Sequence, residues 1–555
     1  MPRSIAGDAF GKGVLGRRLA WGAMLAATAS CSGMSDDPPS ANDPSSSASH
    51  GGATPTVGQG DAGTPPGDTP SGTFVLETLG AWARGSVHPV RWDPPKDLPS
   101  ANESVVLETS RDGGASYARV GTAIAQEGYA RFTAPEDGPS TLRVRVTFRT
   151  FDGRGNEIPL RRLVSNDITL TASAKRAYTW QKVTSAAPFG PRDGAGGVVH
   201  AGKMWLIGGW NGERFPLQTA NDVWSSTDGA TWTRERDNTY LSRPTFDYTN
   251  DWEGRHFAGY LSFGGKMWIV GGDPNQGHYQ TDVWSSIDGR VWTRTDAFAP
   301  RQPYTTLDTD PASPTFGTFV WNPRARASEE SQFGMRALHV AGVLGDRMFV
   351  LGGQRIAQYV NPDWPGRPAK ILDDVWTTRD GVTFSEAARV GPRWAPRGLV
   401  SEAVEHDGRL WLVGGGALDD PGVGATKREY RNDVWSTRDG SAWERSPGEA
   451  PFSPRIWHNV KVFDGRLWVL CGYDGSEPGA GRMADNLADA WYSADGTNWY
   501  EASPPAGFVA RHAATAWAYA GSLFVGSGNA IGPDPAAPSG PGVWYADVWK
   551  LSPAP

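Results

Sequence analysis

One phrase returns throughout the C-terminal part of the chain: Asp222-Val-Trp-Ser-Ser-Thr-Asp-Gly-Ala-Thr-Trp232. It recurs as Asp282 to Trp292, Asp374 to Phe384, Asp433 to Trp443 and Asp489 to Trp499. A truncated copy, Asp547-Val548-Trp549, stands near the C-terminus. Each full copy predicts strand, Asp-Gly turn, strand. The Asp-Gly pair supplies the positive φ that a tight hairpin needs, and Val, Trp and Thr on either side favour extended backbone. A hairpin repeated this way cannot bury its apolar face alone, so the chain must stack its repeats.

The residues upstream of each hairpin repeat as well. Before the first copy come Arg192-Asp-Gly-Ala-Gly-Gly-Val-Val-His200, a turn at Ala201-Gly202, and Lys203-Met-Trp-Leu-Ile-Gly-Gly209. The equivalents are Arg255 to Gly272, Arg336 to Gly353, Arg397 to Gly415, Arg455 to Gly472 and Arg511 to Gly528. The Gly-Gly pair becomes Cys471-Gly472 and Ser527-Gly528 in the last two copies, where small residues keep a close backbone approach possible. An Arg-led strand, a tight turn, an apolar strand ending in Gly-Gly, a loop and the Asp-Val-Trp hairpin make six units of four strands. This order resembles the kelch family of β-propellers over about residues 176 to 555. The sixth unit ends after its third strand, and Tyr178-Thr-Trp-Gln-Lys-Val183 reads as an orphan fourth strand. The resemblance therefore implies an all-β chain with a six-bladed kelch-type β-propeller, closed by residues 178 to 183 so that no sheet edge is left at the join.

The N-terminal part has a different composition. Residues 1 to 31 carry Arg3, Lys12, Arg17 and Arg18, then an apolar run from Leu19 to Ala29, then Cys31. That layout predicts a bacterial export signal. Leu25-Ala-Ala-Thr-Ala-Ser-Cys31 resembles a lipoprotein signal, which implies lipidation of Cys31 and a place in the cell envelope. Thr28 stands where such signals usually carry Leu. Residues 32 to 72 are Ser, Pro, Gly, Asp and Thr with almost no apolar content, and read as a disordered tether. Residues 73 to 173 alternate polar and apolar, with strands expected at Phe74 to Leu76, Pro89 to Trp92, Ser104 to Ser110, Tyr129 to Thr133, Leu142 to Phe148 and Asn166 to Thr171. About seven short strands in such a length suggest a β-sandwich. The order of these segments resembles immunoglobulin-like modules of bacterial surface proteins, which act as spacers or binding accessories.

The chain's 555 residues suffice for two domains, and a formal charge of −7 gives no reason to expect nucleic acid. With Cys31 lipidated, Cys471 would be the only thiol left, so no disulfide forms within the chain. At a Gly position ending a buried strand, Cys471 reads as a packing residue. No phosphate loop, zinc motif or Ser-His-Asp grouping is present, no cofactor is expected, and the chain is expected to be a monomer.

Loop lengths carry the functional signal. Turns between first and second strands and between third and fourth strands are tight throughout. Insertions gather instead at Trp210 to Asn221, Arg236 to Gly254, Arg294 to Gly334, Gln354 to Asp373, Gly416 to Asn432, Tyr473 to Ala488 and Asn529 to Ala546. All belong to connections on one face, and long loops on one side of a rigid scaffold are where binding residues collect. Arg192, Arg255, Arg336, Arg397, Arg455 and Arg511 open the innermost strands near that face. Six guanidinium groups around one mouth would suit a carboxylate or acidic sugar. The same residues could equally bond to backbone carbonyls or an Asp as part of the frame. His256, His339, His458 and His512 lie close to four of these Arg, at offsets that do not require convergence on a metal. Glu402 is the one carboxylate well inside an innermost strand, a weak candidate for acid/base work or a partner to an Arg. The insertions also carry Trp210, Phe215, Tyr240, Phe246, Tyr248, Trp252, Tyr279, Tyr304, Phe316, Trp321, Tyr359, Trp364, Tyr430 and Tyr473. Aromatic rings among polar groups serve carbohydrate or peptide recognition, and they also pack loops on themselves.

Two functional classes stay open at this stage. The first is a tethered, non-enzymatic protein that binds a carbohydrate or an extracellular or periplasmic protein on the long-loop face. The second is an exported carbohydrate-active enzyme, because kelch-type sialic acid mutarotases are six-bladed and act on an acidic sugar through Arg and a carboxylate. The copper chemistry of galactose oxidase needs a crosslinked Tyr–Cys pair, for which Cys471 is badly placed.

Overall fold

The computed structural model describes residues 69–70, 81–93 and 104–555, except 215–217, 242–244, 248–249, 273–279, 296–304, 309, 317–318, 322–331, 335, 356–369, 418–428, 475–485, 503–504, 506 and 531–541. The export signal, Cys31, nearly all of the tether and the strand expected at Phe74 to Leu76 lie outside the described residues.

Apolar residues at alternate positions, with turn residues at fixed intervals, give strands almost everywhere, and the described residues contain only two short 3-10 turns. No helix among them is long and apolar enough to cross a membrane. Six antiparallel sheets follow the repeat. The first runs through Gly196–His200, Lys203–Ile207, Val223–Ser226 and Thr233–Arg236 in simple meander order. The third and fourth sheets have longer middle strands, such as Arg347–Arg355 against Lys370–Thr378, with a register shift where the Gly pair falls.

The last sheet takes its outer strand from far upstream. Tyr178–Thr184 pairs antiparallel with Val548–Pro553, Trp180 opposite Leu551. The first strands of the six sheets pack side by side in cyclic order, the sixth returning to the first. Backbone hydrogen bonds bind that circuit. The N–H of the second Gly of one unit donates to the carbonyl of the next unit's Arg: Gly209 to Arg255, Gly353 to Arg397, Gly415 to Arg455, Gly472 to Arg511 and, across the join, Gly528 to Arg192 at 2.8 Å. A side chain at Gly352 would sit on the carbonyl oxygen of Arg397, so only glycine lets the units approach this closely there.

Residues 81 to 171 form strands around their own core, which includes Trp82, Val90, Trp92, Leu107, Phe132 and Phe148. Four strands match the expectation closely: Val87–Arg91, Ser104–Ser110, Tyr129–Thr133 and Thr141–Phe151. Two more, Ala118–Ile124 and Glu157–Val164, are mostly exposed and lack the apolar alternation that would reveal them. Thr69–Pro70, inside the segment read as tether, pairs with Leu163 and Val164. This part is also joined to the fifth sheet. Val87 pairs with Trp499, so one sheet runs from Asn459–Phe463 through to Tyr129–Thr133. The join is reinforced by Asn498 Oδ1 accepting from the Ala83 N–H at 2.8 Å, Arg131 Nε donating to the Pro451 carbonyl at 2.8 Å, and an ion pair between Arg91 and Glu449. A segment expected to act as a spacer is here built into the edge of a sheet.

Candidate functional site

The six Arg that open the inner strands are all nearly inaccessible to solvent. Each forms a forked ion pair with the Asp of its own Asp-Val-Trp phrase. Arg192 Nη1 meets Asp222 Oδ1 at 2.7 Å, Arg255 meets Asp282 at 2.7 Å, Arg336 meets Asp374 at 2.7 Å, Arg455 meets Asp489 at 2.6 Å and Arg511 meets Asp547 at 2.5 Å. Arg397 pairs with Asp433 in the same way. Nη1 also donates to the first carbonyl of the Gly pair, Gly208 in the first unit and Cys471 in the fifth. The Asp accepts in addition from the indole N–H two residues on, as Asp222 does from Trp224 at 2.8 Å. These bonds explain the Asp-Val-Trp phrase itself. Burial favours the neutral acid, but the guanidinium and indole partners win, and Asp222, Asp374, Asp433, Asp489 and Asp547 stay below the ordinary carboxylate range. A guanidinium committed to a buried carboxylate and a carbonyl belongs to the frame. The ring of free Arg expected for an acidic ligand is not what these bonds describe.

Glu402 has a partner, but the partner is Lys461 and not an Arg. The two form an ion pair between the fourth and fifth inner strands, and Lys461 Nζ also reaches the Gly197 carbonyl at 3.3 Å. Burial raises the Glu402 carboxyl against the pull of that ammonium. Both residues line an axial cavity of about 40 Å³, walled by residues from all six units. That volume is room for a water or two and too little for a sugar ring.

His458 and His339 are frame residues too. Their Nε2 atoms donate to the Val413 carbonyl at 2.9 Å and the Val270 carbonyl at 3.1 Å, each in the preceding unit. Burial pushes His458 down to about 3 and His339 to about 4, so both are neutral. Cys471 is fully buried and its thiol is pushed up to about 12, which removes it as a nucleophile near neutrality. No group of three acidic, His or Cys side chains able to hold a metal occurs among the described residues.

The remaining candidates converge. Trp210 lies stacked on His256 with ring centres 5.8 Å apart, and Trp210 also meets Trp544 at 5.3 Å, the two rings tilted. Tyr473 packs on His512 at 6.0 Å and on Trp457 at 5.7 Å, and Tyr430 extends the row at 6.3 Å. His512 is held by Asn486, its Nδ1 donating to Oδ1 at 2.7 Å, and burial lowers it to about 3. Trp544 was not singled out in the sequence, nor were two further residues that join these groups. Phe257 touches His256 at 4.7 Å and stacks with Trp457 at 6.2 Å. Phe257 belongs to the second unit and Trp457 to the fifth, opposite one another in the cyclic order, so their rings meet across the axis.

Phe257 and Trp457 occupy one repeat position, two residues after the Arg. The six residues there are Gly194, Phe257, Leu338, Leu399, Trp457 and Ala513, and every one has φ between 49° and 65°. In that left-handed turn the N–H points at the preceding unit: Trp457 donates to the Leu399 carbonyl at 2.7 Å, Ala513 to Trp457 at 2.8 Å and Gly194 to Ala513 at 2.8 Å. A repeat position that holds Gly, Phe, Leu, Leu, Trp and Ala in successive copies carries no periodic signal, so it stayed invisible in the sequence.

Of the loop aromatics, Phe215, Tyr248, Tyr279, Tyr304, Tyr359 and Trp364 lie outside the described residues. Tyr240 and Trp252 are buried, Tyr240 against Phe246 and Trp252 against Trp292, which makes them packing residues of their own loops. No family model and no curated protein matches this chain.

Proposed function

We propose that the chain is an exported, lipid-anchored envelope protein of the kelch type. In this reading the six sheets are blades of a β-propeller, and residues 81 to 171 are an immunoglobulin-like module. The cyclic packing of the six first strands and the closing strand Tyr178–Thr184 support the propeller. The Cys31 signal and the tether remain sequence arguments. The function is non-enzymatic binding of a carbohydrate or an extracellular protein on the long-loop face.

One observation carries the binding role: Trp544, Trp210, His256, Phe257, Trp457, Tyr473 and Tyr430 form an unbroken row of rings that crosses the axis at the partly exposed Phe257–Trp457 pair. The carbohydrate-active alternative keeps the six units and the export signal but loses its two chemical supports, since the Arg are paired with Asp and Glu402 is paired with Lys461.

The test is a glycan array and an envelope-protein binding screen with the full chain, repeated with Trp544→Ala and Tyr430→Ala. Retention of every ligand by both variants would remove the mouth as the binding site. Anchoring is checked separately by metabolic fatty-acid labelling, which Cys31→Ser should abolish.

A further inference from the structure

Two sheets end on one opening. Ala118–Ile124 is the outermost strand of a sheet of the N-terminal part, and Tyr129–Thr133 is the outermost strand of the sheet shared with the fifth unit. Each pairs with one neighbour only, Ser104–Ser110 and Val87–Arg91 respectively. Among the described residues no further backbone group bonds to the backbone of either strand. Both line a cleft of about 1180 Å³, together with residues 486 to 489 and Glu501 of the fifth unit. Residues 120 to 124 and 129 to 133 line it without a gap. Successive side chains of a strand point to opposite faces, so an unbroken run of lining residues presents the strand's edge and not one face.

An open edge repeats its donors and acceptors about every 7 Å, and the ligand that matches such a row is another extended backbone. Exposed edges are ordinarily guarded by Lys, Pro or a bulge. Ala118–Ile124 has no Lys or Pro, and its one bulge falls at Val120, which leaves residues 121 to 124 regular. Val120 and Ile124 are apolar yet 52% and 47% exposed. The chain covers other edges with extended segments of its own, Thr69–Pro70 on Glu157–Val164 and Tyr178–Thr184 on the last sheet.

Charge gives the occupant its sign. Arg111 pairs with Asp137, Asp489 is held by Arg455, and Arg131 donates to the Pro451 carbonyl and lies over Trp491. Glu127 and Glu501 line the cleft with no ion pair among the described residues, and Asp474 lines it with them. Partial burial and the neighbouring Asp489 raise the Glu501 carboxyl against the pull of Arg131 and Arg455, so a further cation beside it is favoured. The tether carries Asp36, Asp37, Asp43, Asp61 and Asp68 and no Lys or Arg, which argues against this chain as its own occupant.

Resting on the protein-binding arm of the role proposed above, we propose that the cleft takes an extended, Lys- or Arg-bearing segment of a partner protein, which adds as a strand to the edge at residues 121 to 124.

The experiment is selection of a phage-displayed library of random dodecapeptides on the full chain, followed by titration of synthetic copies of the enriched sequences. These should alternate apolar residues with Lys or Arg. Methylating every second backbone nitrogen should abolish binding in one of the two phases and spare it in the other, because a paired strand turns alternate N–H groups to its neighbour. Hydrogen exchange at residues 118 to 124 should slow when the peptide is bound. Val120→Lys and Ile124→Lys, at exposed positions that leave the fold intact, should each weaken binding by ~10-fold. Glu127→Gln combined with Glu501→Gln should weaken it by ~5-fold at low salt and by less at high salt.

Equal binding of both methylated phases would overturn strand addition. Enriched peptides without basic residues, or no enrichment, would overturn the occupant. Slow exchange at the same residues in a peptide-free dimer would put a second copy of this chain in its place. Peptide binding lost in Trp544→Ala and Tyr430→Ala but kept in the cleft variants would overturn the placement and leave the ring row standing as the site. Binding of no peptide, glycan or envelope protein would remove the underlying role as well.

Discussion

At the scale of single residues, the repeat is written around one buried ion pair. The Arg–Asp fork, the carbonyl it also holds and the indole N–H on the same Asp leave few polar atoms unsatisfied in a dry place. Removing one partner strands a charge, and in buried pairs that costs about 3–5 kcal/mol. Arg455→Ala should therefore lower the unfolding free energy by an amount in that range, and Arg455→Lys should recover only part because the fork is lost. Denaturant unfolding checks both; a loss below ~1 kcal/mol would place the pair outside the frame. Cys471 makes a complementary prediction. With its thiol buried and pushed up to about 12, it should resist alkylation in the native chain and react once the chain is unfolded. Mass spectrometry with and without denaturant gives the answer. The sequence displayed both partners of the ion pair, Arg192 and Asp222 for example, but not that they meet. They are thirty residues apart, and a spacing along the chain does not say which carboxylate lies above which guanidinium.

At the scale of elements, the Gly pairs and the turns between first and second strands were legible because each corresponds to a backbone state that few residues adopt. In the Asp-Gly of the repeated phrase, by contrast, only the glycine has positive φ, 76° at Gly229, and the Asp228 carboxylate holds the turn by accepting the N–H groups of Ala230 and Thr231. The Ala201-Gly202 turn has φ of 47° and 73°, as a tight hairpin requires. Gly352 combines two constraints, a φ of 54° and a neighbouring carbonyl where a Cβ would sit. Gly352→Ala should cost at least ~2 kcal/mol in thermal or denaturant unfolding, more than a surface substitution does. Cys471 and Ser527 tolerate the same left-handed state with φ of 59° and 57°, so a wild-type-like Gly352→Ala would mean the units can separate at that point. What the sequence could not show lies where a pattern is absent. Ala118–Ile124 is mostly exposed and therefore has no apolar alternation. The position two residues after the Arg varies from glycine to tryptophan, so no repeat alignment singles it out, although it brings Phe257 and Trp457 together. Of the site residues expected from the sequence, Trp210 meets His256 and Tyr473 meets His512, the two groups being joined through Phe257 and Trp457, while the six Arg, His458 and Glu402 serve the frame.

At the scale of the whole molecule, closure and burial together set the response to acid. Four histidines are packed as neutral groups: His88 and His339 are pushed down by burial to about 3 and about 4, and His458 and His512 to about 3. They are spread over the N-terminal part, the third, fifth and sixth units. Unfolding frees each to bind a proton at its ordinary value near 6.5. Below that pH the unfolded chain holds more protons than the native one, so stability is full above about 6.5 and falls as the pH drops toward the native values. Each contributes at most about 1.4 kcal/mol per pH unit in that window. The buried Asp of the ion pairs act later. Their native values are depressed, so their contribution is complete above the ordinary carboxylate range and is lost only as the pH falls through and below it. Glu402, raised by burial, works weakly in the opposite sense. The expected profile is a melting temperature that is flat above neutrality and declines from about pH 6.5 to 4, before the carboxylates titrate. His458→Gln, which keeps a donor for the Val413 carbonyl, should make that decline shallower by about one proton's worth. A melting temperature constant down to pH ~4.5 would show that these histidines reach water and charge without unfolding. That result would also contradict the tight inter-unit packing on which the closed circuit depends.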